Sequence, residues 1–104
     1  MSTQPFALTA REMADAFGGV LQHGPADRHL PTVSIDTRTL KAGDLFVAIT
    51  GPRFDGHAFV AAAIAAGAGA VVVSDASAVT TTDVPAIVVG DTLQGLQQAA
   101  RVIR

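Results

Sequence analysis

Polar side chains follow two neighbouring apolar stretches of this sequence, at the point where each stretch ends. Asp36-Thr37-Arg38 comes after the first stretch, and residues 51–57, Gly-Pro-Arg-Phe-Asp-Gly-His, come after the second. If the two stretches form parallel strands, both polar segments lie at the carboxyl edge of one sheet. Open α/β sheets commonly bind their ligands at that edge. We therefore expect the functional site there.

The first polar segment combines a hydroxyl group with two opposite charges. Thr37 and the backbone N–H groups near it could hold a phosphate or a ribose, and Arg38 could add positive charge toward a pyrophosphate. In the alternative interpretation, Asp36 and Arg38 form a local ion pair at the end of a strand. The residue types alone favour the ion pair.

The second polar segment links an apolar strand to the start of a helix. Unpaired N–H groups at a helix N-terminus suit an anion, Arg53 could meet a phosphate, and Phe54 could lie against a flat ring. Alternatively, Asp55 caps the helix and Phe54 fills the core. Both interpretations can hold together, because a capped loop can still bind a ligand.

Composition and missing motifs exclude several other functions. The 104 residues carry a net charge of −2 with no basic run, which argues against nucleic-acid binding. There is no cysteine, and the three histidines lack metal-ligand spacing, so no metal site is expected. No apolar run approaches the roughly 20 residues that span a bilayer, so we expect no membrane partner. The sequence contains neither the nucleoside-triphosphate motif G-x-x-x-x-G-K-[ST] nor the dinucleotide motif G-x-G-x-x-G, so neither kind of phosphate-binding loop is expected.

Three helices are predicted around this edge. The first begins at a T-x-x-E capping box, Thr9 to Glu12, and ends at Gly18-Gly19. The second runs from about 57 to 66. Asp91, with Gln94, caps the third, whose predicted apolar face is Leu93, Leu96, Ala100 and Ile103. Because this helix continues to the last residue, we expect residues 1–104 to be one domain of a longer protein.

The strands are predicted at 20–22, 32–36, 45–49, 70–74 and 85–89. Val33 and Ile35 alternate with polar residues, which predicts one buried face, whereas the apolar run from Leu45 to Ile49 predicts a strand covered on both faces. Strands alternate with helices from Leu45 onward. This order indicates an α/β fold with a small, mostly parallel or mixed sheet and flanking helices.

The polar segments and the strand between them resemble the N-terminal domain of the Mur ligases. Three motifs carry the resemblance at matching separations: Asp36-Thr37-Arg38, Gly43-Asp44-Leu45-Phe46-Val47-Ala48, and Asp55-Gly56-His57-x-Phe59. The resemblance covers nearly the whole chain. The form Arg-Phe-Asp-Gly-His-x-Phe is more similar to the MurF type than to the MurE type. Thr37 stands where many members have serine, which keeps the hydroxyl and adds a methyl group.

The resemblance implies a role in peptidoglycan synthesis in the cytoplasm. In such ligases ATP phosphorylates the terminal carboxylate of a UDP-N-acetylmuramoyl peptide, and an amine then attacks the acyl phosphate. In the MurF type the peptide is a tripeptide and the amine is D-alanyl-D-alanine. ATP and Mg²⁺ are implied for the full-length ligase only. The central and C-terminal ligase domains are missing from this sequence, so we expect the chain alone to be inactive.

The resemblance also implies which residues hold the UDP end of the substrate. Ile35 and Thr37 would line the uridine pocket, and Pro52, Arg53 and Phe54 would form its second wall. Asp55, Gly56 and His57 would shape the loop. With Arg38, these are the expected substrate-binding residues, and no residue is expected to be catalytic.

Two alternatives remain open. A MurE-type ligase would differ in its peptide and its amine, which this domain barely contacts. A non-catalytic module for protein docking or self-association could use the same fold. Anchoring of UDP predicts an exposed, polar-rimmed pocket beside Thr37, whereas docking predicts an exposed apolar patch elsewhere.

Overall fold

The computed structural model describes residues 8–23, 26–30, 32–51, 54–79 and 84–102. The helices are α1 (Ala10–Phe17), α2 (Val60–Ala65) and α3 (Thr92–Val102). The strands are β1 (Leu8–Thr9), β2 (Val20–Gln22), β3 (His29–Leu30), β4 (Val33–Ser34), β5 (Leu45–Val47), β6 (Thr50–Gly51), β7 (Phe54–Asp55), β8 (Ala70–Val73) and β9 (Ala86–Val88). Two 3₁₀ segments, Gly56–Phe59 and Ala76–Ala78, precede α2 and follow β8. Among the described helices, none has the length and hydropathy of a membrane span.

The central sheet has five strands in the order β2-β9-β8-β5-β4. The pairs β4–β5, β5–β8 and β8–β9 are parallel, and only β2 runs antiparallel, to β9. The predicted α/β fold with a mostly parallel sheet is therefore confirmed. Val33 pairs with Leu45 and Ser34 with Phe46, so β4 and β5 end side by side. The two polar segments thus leave the sheet at the same edge, as the sequence predicts.

The sheet is covered on both faces at its centre. One face packs against α1 and α3 through residues such as Met13, Phe17 and Val47. The other packs against α2 through residues such as Phe46 and Val60. All residues of β5 and β8 are buried, which confirms the interpretation of the two continuous apolar runs.

The predicted start and end of α1 are confirmed. Thr9 Oγ1 accepts a hydrogen bond from the Glu12 amide at 3.1 Å, and Glu12 Oε1 accepts one from the Thr9 amide at 2.9 Å. Gly18 ends the helix in the left-handed conformation, with φ of 70°. The segment after β2 contributes a strand that the sequence did not predict, β3, which pairs with β1.

The predicted apolar face of α3 is confirmed at Leu96 and wrong at Leu93 and Ala100, which are exposed. Leu93 is 44% exposed, whereas Thr92 and Ala99 are buried and Leu96 packs against the core. The cause is the small residue Gly95, since a Cβ atom there would lie 3.3 Å from the carbonyl oxygen of Phe17. The helix therefore approaches α1 along its small side chains. Ile103 lies outside the described residues.

The predicted buried face of 32–36 is also wrong. Val33 is 39% exposed and Ile35 is 52% exposed, because β4 is an edge strand with a neighbour on one side only. The strand ends at Ser34, whose hydroxyl accepts a hydrogen bond from the Asp36 amide at 3.2 Å and donates one to the Asp36 carbonyl at 3.0 Å. This local pairing turns the chain away from the sheet.

Asp44 fixes the turn that precedes β5, at the amino ends of the parallel strands. It is 5% exposed, and its carboxylate accepts hydrogen bonds from the Thr32 hydroxyl and from the Lys41 amide, the latter at 2.9 Å. The turn at 41–44 is therefore held by a side chain of the Gly-Asp-Leu-Phe-Val-Ala motif. This aspartate lies at the amino end of β5, away from the polar segments.

Candidate functional site

A pocket of about 530 Å³ lies at the carboxyl ends of β4 and β5. The residues that line it are Ile35, Asp36, Thr37, Arg38, Phe46, Ile49 and Phe59. Three of them, Ile35, Thr37 and Arg38, are expected site residues from the sequence. The apolar run from Leu45 to Ile49 predicted a buried strand and gave Phe46 and Ile49 no role in binding. The position of Phe59 in the Asp-Gly-His-x-Phe motif was the one signal that linked it to the site.

Arg38 forms an ion pair with Asp36 at the rim of the pocket. Arg38 Nη2 lies 2.7 Å from Asp36 Oδ2, Nε lies 3.1 Å from both carboxylate oxygens, and the Arg38 amide donates to Oδ1 at 2.8 Å. These hydrogen bonds from Arg38 lower the pKa of Asp36 to about 2. The local ion pair that the residue types favour is therefore confirmed. It also makes the two residues jointly neutral where they meet the pocket.

A tight turn presents Thr37 between these two charges. The Asp36 carbonyl accepts hydrogen bonds from the Thr39 amide at 3.2 Å and from the Thr39 hydroxyl at 3.3 Å. Together with the Ser34 hydroxyl, these bonds fix the backbone on both sides of Thr37. Thr37 is half-buried and contributes to the pocket lining.

Asp55 caps the 3₁₀ segment that leads into α2. Its Oδ1 atom accepts a hydrogen bond from the His57 amide at 2.9 Å. This bond is the main cause that lowers the pKa of Asp55. The predicted cap is confirmed, although the helix opens as a 3₁₀ turn. Because the Asp55 carboxylate already occupies this helix start, the anion-site interpretation finds no support there.

His57 lies between two parts of the chain and is held from both sides. On one side, Nδ1 is 2.8 Å from Asp55 Oδ1 and 3.1 Å from Thr50 Oγ1. On the other side, Nε2 accepts hydrogen bonds from the amides of Ser74 at 2.9 Å and Asp75 at 3.3 Å. The side chain is 12% exposed and does not line the pocket.

The loop that carries Asp55 and His57 rests on the residues that follow β5. Gly56 donates from its amide to the Ile49 carbonyl at 2.7 Å, and Thr50 donates from its amide to the buried Thr92 hydroxyl at 3.2 Å. Ile49 is also part of the pocket lining. The loop and the pocket are therefore joined through Ile49.

The expected second wall of the pocket is only partly described. Pro52 and Arg53 lie outside the described residues, as does the side chain of Phe54. The backbone of Phe54 pairs with Gly51 in the small β6–β7 hairpin. The roles expected for these three residues therefore stay predictions. Within the described ranges, no group of three His, Asp or Glu side chains could hold a metal ion.

Comparison with known families places this site in context. A family model described as "Mur ligase family, catalytic domain" matches residues 29–104. The match begins at β3 and includes every residue of the pocket. It covers well over half of the chain.

Individual relatives agree with this match. The chain is 40% identical over 98 residues to the UDP-N-acetylmuramoyl-tripeptide–D-alanyl-D-alanine ligase of Escherichia coli, covering 94% of this chain and 21% of that protein. It is 48% identical over 52 residues to the UDP-N-acetylmuramoyl-L-alanyl-D-glutamate–2,6-diaminopimelate ligase of Syntrophomonas wolfei, covering 50% of this chain and 11% of that one.

A solved structure is also similar. The UDP-N-acetylmuramoylalanyl-D-glutamyl-2,6-diaminopimelate–D-alanyl-D-alanyl ligase of Acinetobacter baumannii superimposes with a TM-score of 0.78 at 31% identity, over 93% of this chain and 22% of that one. The chain thus spans about a fifth of the length of the two D-alanyl-D-alanine ligases.

Proposed function

This chain belongs to the Mur ligase family, and we propose that it is the domain of such a ligase that anchors the UDP end of a UDP-N-acetylmuramoyl peptide. The observation that carries the proposal is the pocket at the carboxyl ends of β4 and β5. Open α/β sheets bind ligands at this position. Ile35, Thr37 and Arg38, which the family motif assigns to substrate binding, line this pocket.

The pocket offers the surface that a nucleoside needs. Ile35 and Phe59 are 52% and 42% exposed, and burial of such apolar surface under a flat ring is favourable. The Thr37 hydroxyl can donate to or accept from the uridine. A largely apolar pocket with a few fixed polar groups is typical of small-molecule sites.

Charge at the rim suits a diphosphate only in part. The Asp36 carboxylate accepts hydrogen bonds from Nε and Nη2 of Arg38. The third guanidinium nitrogen, Nη1, makes no hydrogen bond to any described residue. Nη1 can therefore donate to a phosphate oxygen while the ion pair stays intact. We expect Arg53 to supply a second positive charge.

Anchoring of this kind contributes to a reaction that takes place elsewhere. Binding energy from the UDP group holds the distant peptide carboxylate where ATP phosphorylates it. In the whole protein this would be a MurF-type ligase of the cytoplasm, which uses ATP and Mg²⁺ to add D-alanyl-D-alanine to the UDP-linked tripeptide. Residues 1–104 contain no phosphate-binding glycine loop, so this chain alone should not hydrolyse ATP when given the muramoyl substrate.

The docking alternative finds less support in the exposed apolar residues. Val20 and Val33 are exposed, but they lie on β2 and β4, the opposite edges of the sheet. Within the described parts of the chain, these two residues therefore cannot form one contiguous patch. The exposed apolar residues Ile35 and Phe59 instead share the pocket beside Thr37.

A calorimetric titration with UDP-N-acetylmuramic acid tests the proposal. Thr37→Val removes the hydroxyl and keeps the shape, so affinity should fall roughly fivefold to tenfold. Thr37→Ser is the matched control, because it keeps the hydroxyl group at the same position, and its affinity should stay close to that of the wild type. Equal affinity of Thr37→Val and the wild type, or no binding at millimolar ligand, would contradict the proposal.

A further inference from the structure

We propose that His57 is a positioning residue: its neutral ring ties residues 55–57 to the end of β8 and so helps to position Ile49 and Phe59 in the pocket, and its protonation breaks that tie. The inference rests on the proposed function and extends it to a residue outside the pocket lining. One of the two tests of the inference needs no ligand.

The contacts of His57 determine which form of the ring is present. A backbone amide can only donate, so the amides of Ser74 and Asp75 require a lone pair on Nε2. The single ring proton is then on Nδ1, which donates to Asp55 Oδ1 at 2.8 Å. His57 is therefore neutral in this structure, with its proton on Nδ1.

This neutral ring joins the end of β8 to the wall of the pocket. Ser74 follows β8 directly and is 17 residues away from His57 in the sequence. On the other side of the ring, the adjacent Gly56 is hydrogen-bonded to Ile49, which lines the pocket. Phe59, two residues after His57, lines it as well. His57 is therefore linked to two pocket residues, to Ile49 through Gly56 and to Phe59 through the chain.

Protonation would break this connection on one side. A proton on Nε2 would face the amide hydrogens of Ser74 and Asp75, and these two amides would lose their acceptor. The Ser74 hydroxyl, 3.3 Å from Nε2, can accept from the protonated ring, but it cannot replace the acceptor of the amides. The charged groups around the ring are Asp55 on the loop and Asp75 after β8; no other titratable group among the described residues bonds to it. Asp55 Oδ1 can accept from Nδ1 in either form of the ring, so the protonated ring would keep Asp55 while the amides of Ser74 and Asp75 lose their acceptor.

Three variants separate this role from a general structural one. His57→Gln supplies an amide oxygen that can accept from Ser74 and cannot be protonated in the same range. His57→Ala removes the acceptor. His29→Gln is the control, because His29 is an exposed histidine in β3 that does not line the pocket. The ligand is UDP-N-acetylmuramic acid, a diphosphate diester that lacks the phosphate proton of UDP that ionises near pH 6.

Affinities would be measured at about pH 8 and about pH 5, which bracket imidazole titration. We expect the wild type and His29→Gln to bind UDP-N-acetylmuramic acid about tenfold more weakly at the lower pH. A factor of this size corresponds to the loss of one hydrogen bond. His57→Gln should bind equally at both values, and His57→Ala weakly at both. The same pH dependence in His57→Gln and the wild type, or wild-type affinity in His57→Ala, would overturn the inference.

A second measurement needs no ligand and separates the two proposals. Nitrogen-15 NMR of the ring should show a proton on Nδ1 at about pH 8. The Ser74 amide signal should shift with the midpoint of His57 protonation, and the amides of Gly56 and His57 should then lose protection from exchange. If no variant or wild type binds ligand, the proposed function fails; if the Ser74 amide does not respond to His57, this inference fails.

Discussion

The Gly56 amide nitrogen lies 2.7 Å from the Ile49 carbonyl oxygen, and no side chain fits between these two residues. A Cβ atom on Gly56 would approach the Ile49 amide nitrogen to 2.7 Å and the Ala48 carbonyl carbon to 2.8 Å. The requirement for glycine is therefore one of space. The loop that follows β7 rests directly on the backbone that follows β5, and this contact sets the position of one pocket wall.

Gly56→Ala should destabilise the fold by roughly 1–3 kcal/mol, because the added methyl group meets backbone atoms that cannot move independently. Gly90→Ala is the matched control, since a Cβ atom there has no neighbour within 4 Å. Its effect should stay within about 0.5 kcal/mol. Urea unfolding of both variants measures the difference, and equal stabilities would show that the loop does not rest on Ile49.

The corrected face of α3 gives a second prediction. Leu96→Ala should cost about 2 kcal/mol of unfolding free energy, because Leu96 packs against the core beside α1. Leu93→Ala should cost less than about 1 kcal/mol, because Leu93 is 44% exposed. Both changes are Leu to Ala within one helix, so differences in helix propensity cancel. If Leu93→Ala lowered the free energy of unfolding more than Leu96→Ala does, Leu93 would belong to the core-facing side of α3, as the periodicity predicts.

The ion pair at the pocket rim predicts a pH dependence. The pKa of Asp36 is lowered from 3.8 to about 2, so the pairing stabilises the fold above about pH 4 and is lost as pH falls toward 2. Arg38→Gln should therefore bring the carboxyl pKa back toward its ordinary value. The stability difference between this variant and the wild type should be present at about pH 5 and vanish near pH 2.

Carbon-13 NMR of the Asp36 carboxyl group measures this titration directly. Arg101→Gln is a suitable control, because Arg101 lies on the exposed side of α3 and makes no contact with Asp36. The control should leave the pKa of Asp36 at about 2. An unchanged pKa in Arg38→Gln would mean that Arg38 does not pair with Asp36 in solution.

The features that the sequence predicted correctly depend on local signals. The capping box of Thr9 and Glu12, the stop at Gly18 and the buried run of β5 each follow from residues within a few positions of one another. The mostly parallel sheet followed from the alternation of strands and helices from Leu45 onward, whereas the parallel pairing of β4 and β5 was the condition on which the position of the site was predicted. Asp36 and Arg38 lie two positions apart in the sequence, so their opposite charges were enough to predict the ion pair.

The features that were missed depend on contacts between distant parts of the chain. Periodicity could not show that Gly95 lets α3 settle on Phe17, nor that β4 lies at the edge of the sheet. The bond between His57 and Ser74 joins a loop to a strand end that no motif connects. The roles of Pro52 and Arg53 stay predictions.

Backbone NMR during a titration with UDP-N-acetylmuramic acid tests the central claim most directly. Anchoring predicts chemical-shift changes that cluster at Ile35, Thr37, Ile49 and Phe59 and extend into residues 53–57. Changes clustered instead around Val20 or Leu93, or none at millimolar ligand, would contradict the claim that this pocket holds the UDP group.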